Sequence, residues 1–178
     1  IETSAKTLKK KIKLNILDDI DSKTHAGPSV INILPINLTT KNTPGKLNPK
    51  NATYVMDTIK KAAELCLAKK ARSMVTGPIS KSVLNDGGYK ISGHTEFLAD
   101  ICKNKSVMML MNSYMKVALH TTHVPLQNVY KYITIESIKE TIRIIHADLK
   151  NKFGIQKPKI LVTGLNPHAG EDGMLGKQ

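Results

Sequence analysis

Apolar residues recur along this chain with two periods, and the clearest helical one runs from residue 52 to residue 67. There Ala52, Val55, Met56, Ile59, Ala62, Ala63, Cys66 and Leu67 share one face. Asn48 and Pro49 stand at its start, where proline's missing amide hydrogen leaves nothing unpaired. The spacing predicts a helix packed on a sheet. A second stripe of Ile135, Ile138, Ile142, Ile145 and Leu149 predicts another long helix, capped by Thr134 and stopped by Gly154. Short apolar or alternating runs predict strands at 30–38, 73–76, 107–111, 115–119 and 159–163. Only Asn112, Ser113 and Tyr114 separate the third run from the fourth, a gap of hairpin size, so those two are expected to pair antiparallel. Residues 4–14 read as the tail of a basic surface helix. A short helix carrying Lys81, Val83 and Leu84 follows the Gly77-Pro78 turn, and another is expected to begin near Thr95. Helices alternating with short strands point to an α/β fold with its functional residues on loops at strand ends.

Composition narrows the classes of function. With 178 residues, 40% of them apolar, the chain builds a real core and is not a disordered segment. The formal net charge of +13 invites a nucleic-acid reading, yet 25 of the 27 basic residues are lysine, and only Arg72 and Arg143 offer the forked donors that suit base edges. Two Phe, five Tyr and no Trp leave little for bases to stack on, so nucleic acid is not expected as a partner. Cys66 and Cys102 lie far apart without CxxC spacing and read as inert thiols. No apolar run approaches the roughly 20 residues that a membrane helix needs. The expectation is a soluble, cytoplasmic protein.

Four segments carry chemistry: TGPISKSVLND at 76–86, SGHTEFLAD at 92–100, ALHTTHVPL at 118–126 and GLNPHAGEDG at 164–173. In the last, a glycine frame surrounds one histidine and two acids just after a strand-like run, a composition suited to a metal-and-substrate loop. In SGHTEF the glycine permits close backbone approach, and the imidazole and hydroxyl both donate and accept hydrogen bonds. In this order and spacing the four segments resemble the 4-hydroxythreonine-4-phosphate dehydrogenase family of vitamin B6 biosynthesis. The resemblance is faint from about Ile31 and strong from Thr76 onward. It implies an α/β/α layered fold of two domains around a central cleft, divided here at about 1–87 and 88–178. It also implies an internal piece of a longer chain: Ile1 is not an initiator methionine, Gln178 falls in mid-loop, and the family's further histidine motif and dinucleotide-binding region are expected beyond it.

The resemblance implies NAD-dependent oxidation and decarboxylation of 4-phosphooxy-L-threonine to 3-amino-2-oxopropyl phosphate, in a homodimer whose active site is shared across the interface. It places a divalent metal (zinc, magnesium or cobalt) on His123 and His168, with a third histidine outside this chain. It places substrate on His94 and Thr95, and the TGP-x-x-K pattern adds Lys81. No residue here is assigned to NAD, since no GxGxxG motif occurs, and no catalytic acid or base is named. His123 read from spacing alone is equally a packing residue before Val124-Pro125, and Thr95 is equally a helix cap. One of Asn166, Glu171 and Asp172 is a plausible orienting partner for His168, although turn formation explains all three as well. His25, His120 and His146 are assigned to structure or surface. Two other readings stay open: a dehydrogenase for another phosphorylated four-carbon hydroxy acid, and a non-catalytic remnant that binds metal or ligand.

Overall fold

The structure is a computed structural model that describes residues 1–22, 24, 27–168 and 170–174. These form two compact units, 1–105 and 106–178.

In the first unit a short helix α1 (Glu2–Thr7) precedes two strands, β1 (Lys13–Ile16) and β2 (Val30–Ile33). The strands pair in parallel, with Lys13 opposite Val30 and Ile16 opposite Ile33. The expected strand at 30–38 thus exists, in shortened form. Residues 4–14 differ from the basic helix expected of them, because Lys13 and Leu14 are drawn into the β1 ladder and only Glu2–Thr7 coils.

Asn48 opens the next helix as anticipated. Its side chain accepts a bond from the Lys50 amide at 3.0 Å, and Pro49–Asn51 form a 3-10 turn that runs into α2 (Ala52–Leu67). Asn51 is buried, and its Oδ1 accepts from the Thr40 amide at 2.9 Å and the Thr40 hydroxyl at 3.1 Å, which ties the preceding loop to the helix start. Every position of the predicted α2 stripe is buried or half-buried except Leu67 at the frayed end. A sheet is the expected partner for that face. It packs instead on other helices, chiefly the 3-10 turn and α4 (His94–Ile101).

The core of this unit is Ala52, Met56, Leu84 and Ile91, with Val55, Ile79, Tyr89 and Phe97 packed against it. Leu84, on α3 (Lys81–Asp86), is only 2% exposed, a burial that contributes about 2 kcal/mol. Gly87, which ends α3, has no room for a side chain: a Cβ there would stand 2.3 Å from Ala52 Cβ and 2.8 Å from the Pro49 carbonyl oxygen.

In the second unit the predicted hairpin is present as β3 (Met109–Met111) and β4 (Lys116–Ala118), antiparallel, with Met109 opposite Ala118. Asn112 turns it by accepting from the amides of Tyr114 and Met115, each at 2.8 Å. The helix α5 (Ile135–Asn151) starts in a capping box in which Thr134 accepts from the Ser137 amide and Ser137 accepts from the Thr134 amide. Ile138, Ile142, Ile145 and Leu149 turn inward as predicted, Ile135 at the first position stays exposed, and Gly154 adopts a left-handed φ of 70° just past the end.

The runs 73–76 and 159–163 take no regular secondary structure and belong to no ladder among the described residues. A strand is defined by a neighbour's backbone, and neither run has one here. Val75 is 98% exposed and Leu161 94%. Among the described residues no helix is long and apolar enough to cross a membrane.

Candidate functional site

Lys81 begins α3 and His94 begins α4, and the core beneath draws the two starts together. Ile79 just before α3, Ile91 just before α4 and Phe97 within it all belong to one apolar cluster with Leu84. The structure holds this pair within one unit.

The approach is closest at Gly93. A Cβ on that residue would lie 3.5 Å from Lys81 Cε, 3.6 Å from Lys81 Nζ and 3.3 Å from Glu96 Oε2. The backbone of Gly93 is extended, a conformation any residue adopts, so glycine's contribution here is space for the lysine and the carboxylate. As the N-cap of α4 it supplies no side-chain acceptor to the first-turn amides. Their partial positive charge therefore adds to that of the ammonium, while Glu96 opposes both. His94 is half-buried, and its Nε2 is fully buried with no hydrogen-bond partner. Such an unsatisfied nitrogen costs about 1–3 kcal/mol, which a polar ligand atom would relieve. Thr95 is the second residue of the helix, exposed, and not its cap. Lys81, His94 and Thr95, three residues singled out in the sequence, thus surround one helix start.

The two histidines expected to hold metal both lie in the second unit. His123 is exposed, five residues past β4, with a left-handed φ of 57° that is uncommon outside glycine and frequent at functional positions. His168 sits in a loop built by Asn166, whose Oδ1 accepts from the His168 amide at 2.9 Å. Its Nδ1 lies 2.6 Å from Glu171 Oε1. A carboxylate on one imidazole nitrogen turns the other outward as a donor, the usual support of a metal-binding histidine. Of the three candidate partners, Glu171 is the one at the ring and Asn166 is the one at the backbone. Among the described residues no three His, Cys, Asp or Glu side chains converge as a cation cluster. The donor chemistry of two imidazoles fits zinc or cobalt, with further ligands required.

His146 is exposed on α5, and His25 lies outside the described residues. His120, assigned to structure, is half-buried with both ring nitrogens engaged, bonding across to α5. Its place between a strand and the His123 motif is the signal that marks it.

The profile of the family described as pyridoxal phosphate biosynthetic protein PdxA matches residues 1–178. The chain belongs to the PdxA family. Among its relatives, the 4-hydroxythreonine-4-phosphate dehydrogenase of Methylococcus capsulatus is 43% identical over 176 residues, which are 99% of this chain and 53% of that protein. The protein of the same name from Pseudomonas syringae pv. tomato is 50% identical over 135 residues, 75% of this chain and 41% of its own length. The crystal structure of the 4-hydroxythreonine-4-phosphate dehydrogenase of Burkholderia phymatum superposes with a TM-score of 0.73 at 30% identity, over 97% of this chain and 52% of the other. The PdxA-family chain thus spans about half the length of the relatives it matches.

Proposed function

We propose that this chain is part of an NAD-dependent dehydrogenase that oxidises 4-phosphooxy-L-threonine and releases carbon dioxide to give 3-amino-2-oxopropyl phosphate for pyridoxal 5'-phosphate synthesis. Family membership over all 178 residues carries the reading. The helix start at Gly93 supports it, because a phosphorylated hydroxy acid offers that site an anion and hydroxyl groups.

In this reading the Lys81 ammonium and the α4 amides receive a substrate anion, a carboxylate or phosphate. His94 Nε2 fills its empty bond with a substrate polar atom, and Thr95 Oγ1 orients the neighbouring group. Glu96, whose Oε2 also lies beside Gly93, opposes that anion. His123 and His168 would hold a divalent cation, which would supply Lewis-acid polarisation to a substrate oxygen. Glu171 keeps the His168 ring turned to that task. NAD binds residues outside this chain, and the working enzyme is a cytoplasmic homodimer.

The test is substrate-dependent NADH formation. The chain extended to the length of its relatives should turn over 4-phosphooxy-L-threonine, while the 178 residues alone should form no NADH above a His168→Ala control. An extended, folded enzyme that is inert toward this substrate and active on another phosphorylated hydroxy acid would replace the assignment.

A further inference from the structure

The ring of His120 makes hydrogen bonds at the far end of the loop that follows it. Leaving the hairpin after β4, where the Leu119 amide still donates to the Met108 carbonyl at 2.9 Å, the chain points this half-buried imidazole at the start of α5. Nδ1 lies 3.0 Å from Thr141 Oγ1, and Thr141 is itself buried, its one hydroxyl hydrogen shared between that nitrogen and the Ser137 carbonyl, also 3.0 Å away. Nε2 lies 3.1 Å from the Tyr132 carbonyl oxygen and 3.1 Å from Ser137 Oγ. A carbonyl only accepts, so Nε2 carries a hydrogen and donates to it. Ser137 in turn donates to the Tyr132 carbonyl at 2.8 Å and belongs to the capping box with Thr134.

One side chain thus ties residue 120 to residue 132. Everything between them, including the left-handed turn at His123 and the 3-10 turn Leu126–Tyr132, is a loop whose two ends meet on this ring. Packing does not hold that loop, for most of its residues are exposed. We infer that His120 is a positioning residue: it fixes the ends of the 121–131 loop on the first turns of α5 and so sets where His123 stands. The anchoring stands on the hydrogen bonds alone. Its consequence for a bound cation rests on the reading of His123 as a ligand.

The experiment compares the full chain with His120→Ala, His120→Gln and Thr141→Val, following amide hydrogen exchange by residue and, separately, affinity for cobalt(II) alone. His120→Ala should speed exchange in 121–131 by about tenfold or more, the scale of one lost hydrogen-bonding partner, and leave the C-terminal half of α5 unchanged. His120→Gln, which still donates and accepts, should restore much of the protection, and Thr141→Val, should His120→Ala fail to fold, should give an intermediate loss. Unchanged exchange in 121–131 in Thr141→Val and in a folded His120→Ala would overturn the inference. A His123→Ala chain with undiminished cobalt affinity would remove the ligand reading of His123 while the exchange data still decide the role of His120.

Discussion

Thr95, a hydroxyl following SGH, reads in the sequence equally as a helix cap and as a substrate contact. The fold separates the two, because Gly93 takes the cap position and leaves Thr95 exposed on the second helical residue. An exposed hydroxyl that is not the cap has little structural reason to be a threonine. In the enzyme extended to its relatives' length, Thr95→Val should leave the melting temperature nearly unchanged and lower kcat/KM about tenfold or more, as a bond to the substrate is lost. Equal kcat/KM in a folded variant would reduce Thr95 to an ordinary helix residue. Lys81 is harder to read, since one lysine among 25 carries no signal of its own. Only the fold places its ammonium against Gly93.

At the scale of elements, the helices are legible in the sequence and the sheets only partly so. A helix satisfies its own backbone, so the α5 stripe, its Thr134 cap and its stop near Gly154 are all written locally. The β3–β4 hairpin is legible for a similar reason: its partner lies one turn away. In contrast, 73–76 and 159–163 have strand composition but no ladder among the described residues, and the first half of β1 falls in a stretch that reads as helix because its partner β2 lies across an intervening loop. The α2 face illustrates a further limit, since an apolar stripe specifies burial but not whether a sheet or a helix provides it. Close packing between elements gives a sharp prediction at Gly87. Adding a methyl group would force apart α3 and the start of α2, so Gly87→Ala should lower unfolding free energy by about 1–3 kcal/mol in denaturant titrations. A midpoint equal to the wild type would mean that the two helices part more easily than this contact implies.

At the scale of the whole molecule, the candidate site residues fall in two units: the helix start with Lys81, His94 and Thr95, proposed to receive a substrate anion, in one, and two imidazoles with Glu171 in the other. Four short segments point to the family because each combines a permissive backbone with a few reactive side chains, a pattern that packing alone seldom generates. The support around them is only partly legible in the sequence: Glu171 is one of three local candidates for His168 and the fold selects it, whereas the buried unpartnered Nε2 of His94 and the His120 anchor depend on tertiary distances. Whether the α4 start receives the phosphorylated substrate is tested most directly by titrating the isotope-labelled chain with 4-phosphooxy-L-threonine, following backbone amides and histidine ring nitrogens by nuclear magnetic resonance. Saturable shifts at Gly93, His94 and Thr95, including His94 Nε2, are predicted, and they should be lost in Lys81→Ala. Saturable shifts confined to other residues, with those amides and the His94 ring unmoved, would contradict it.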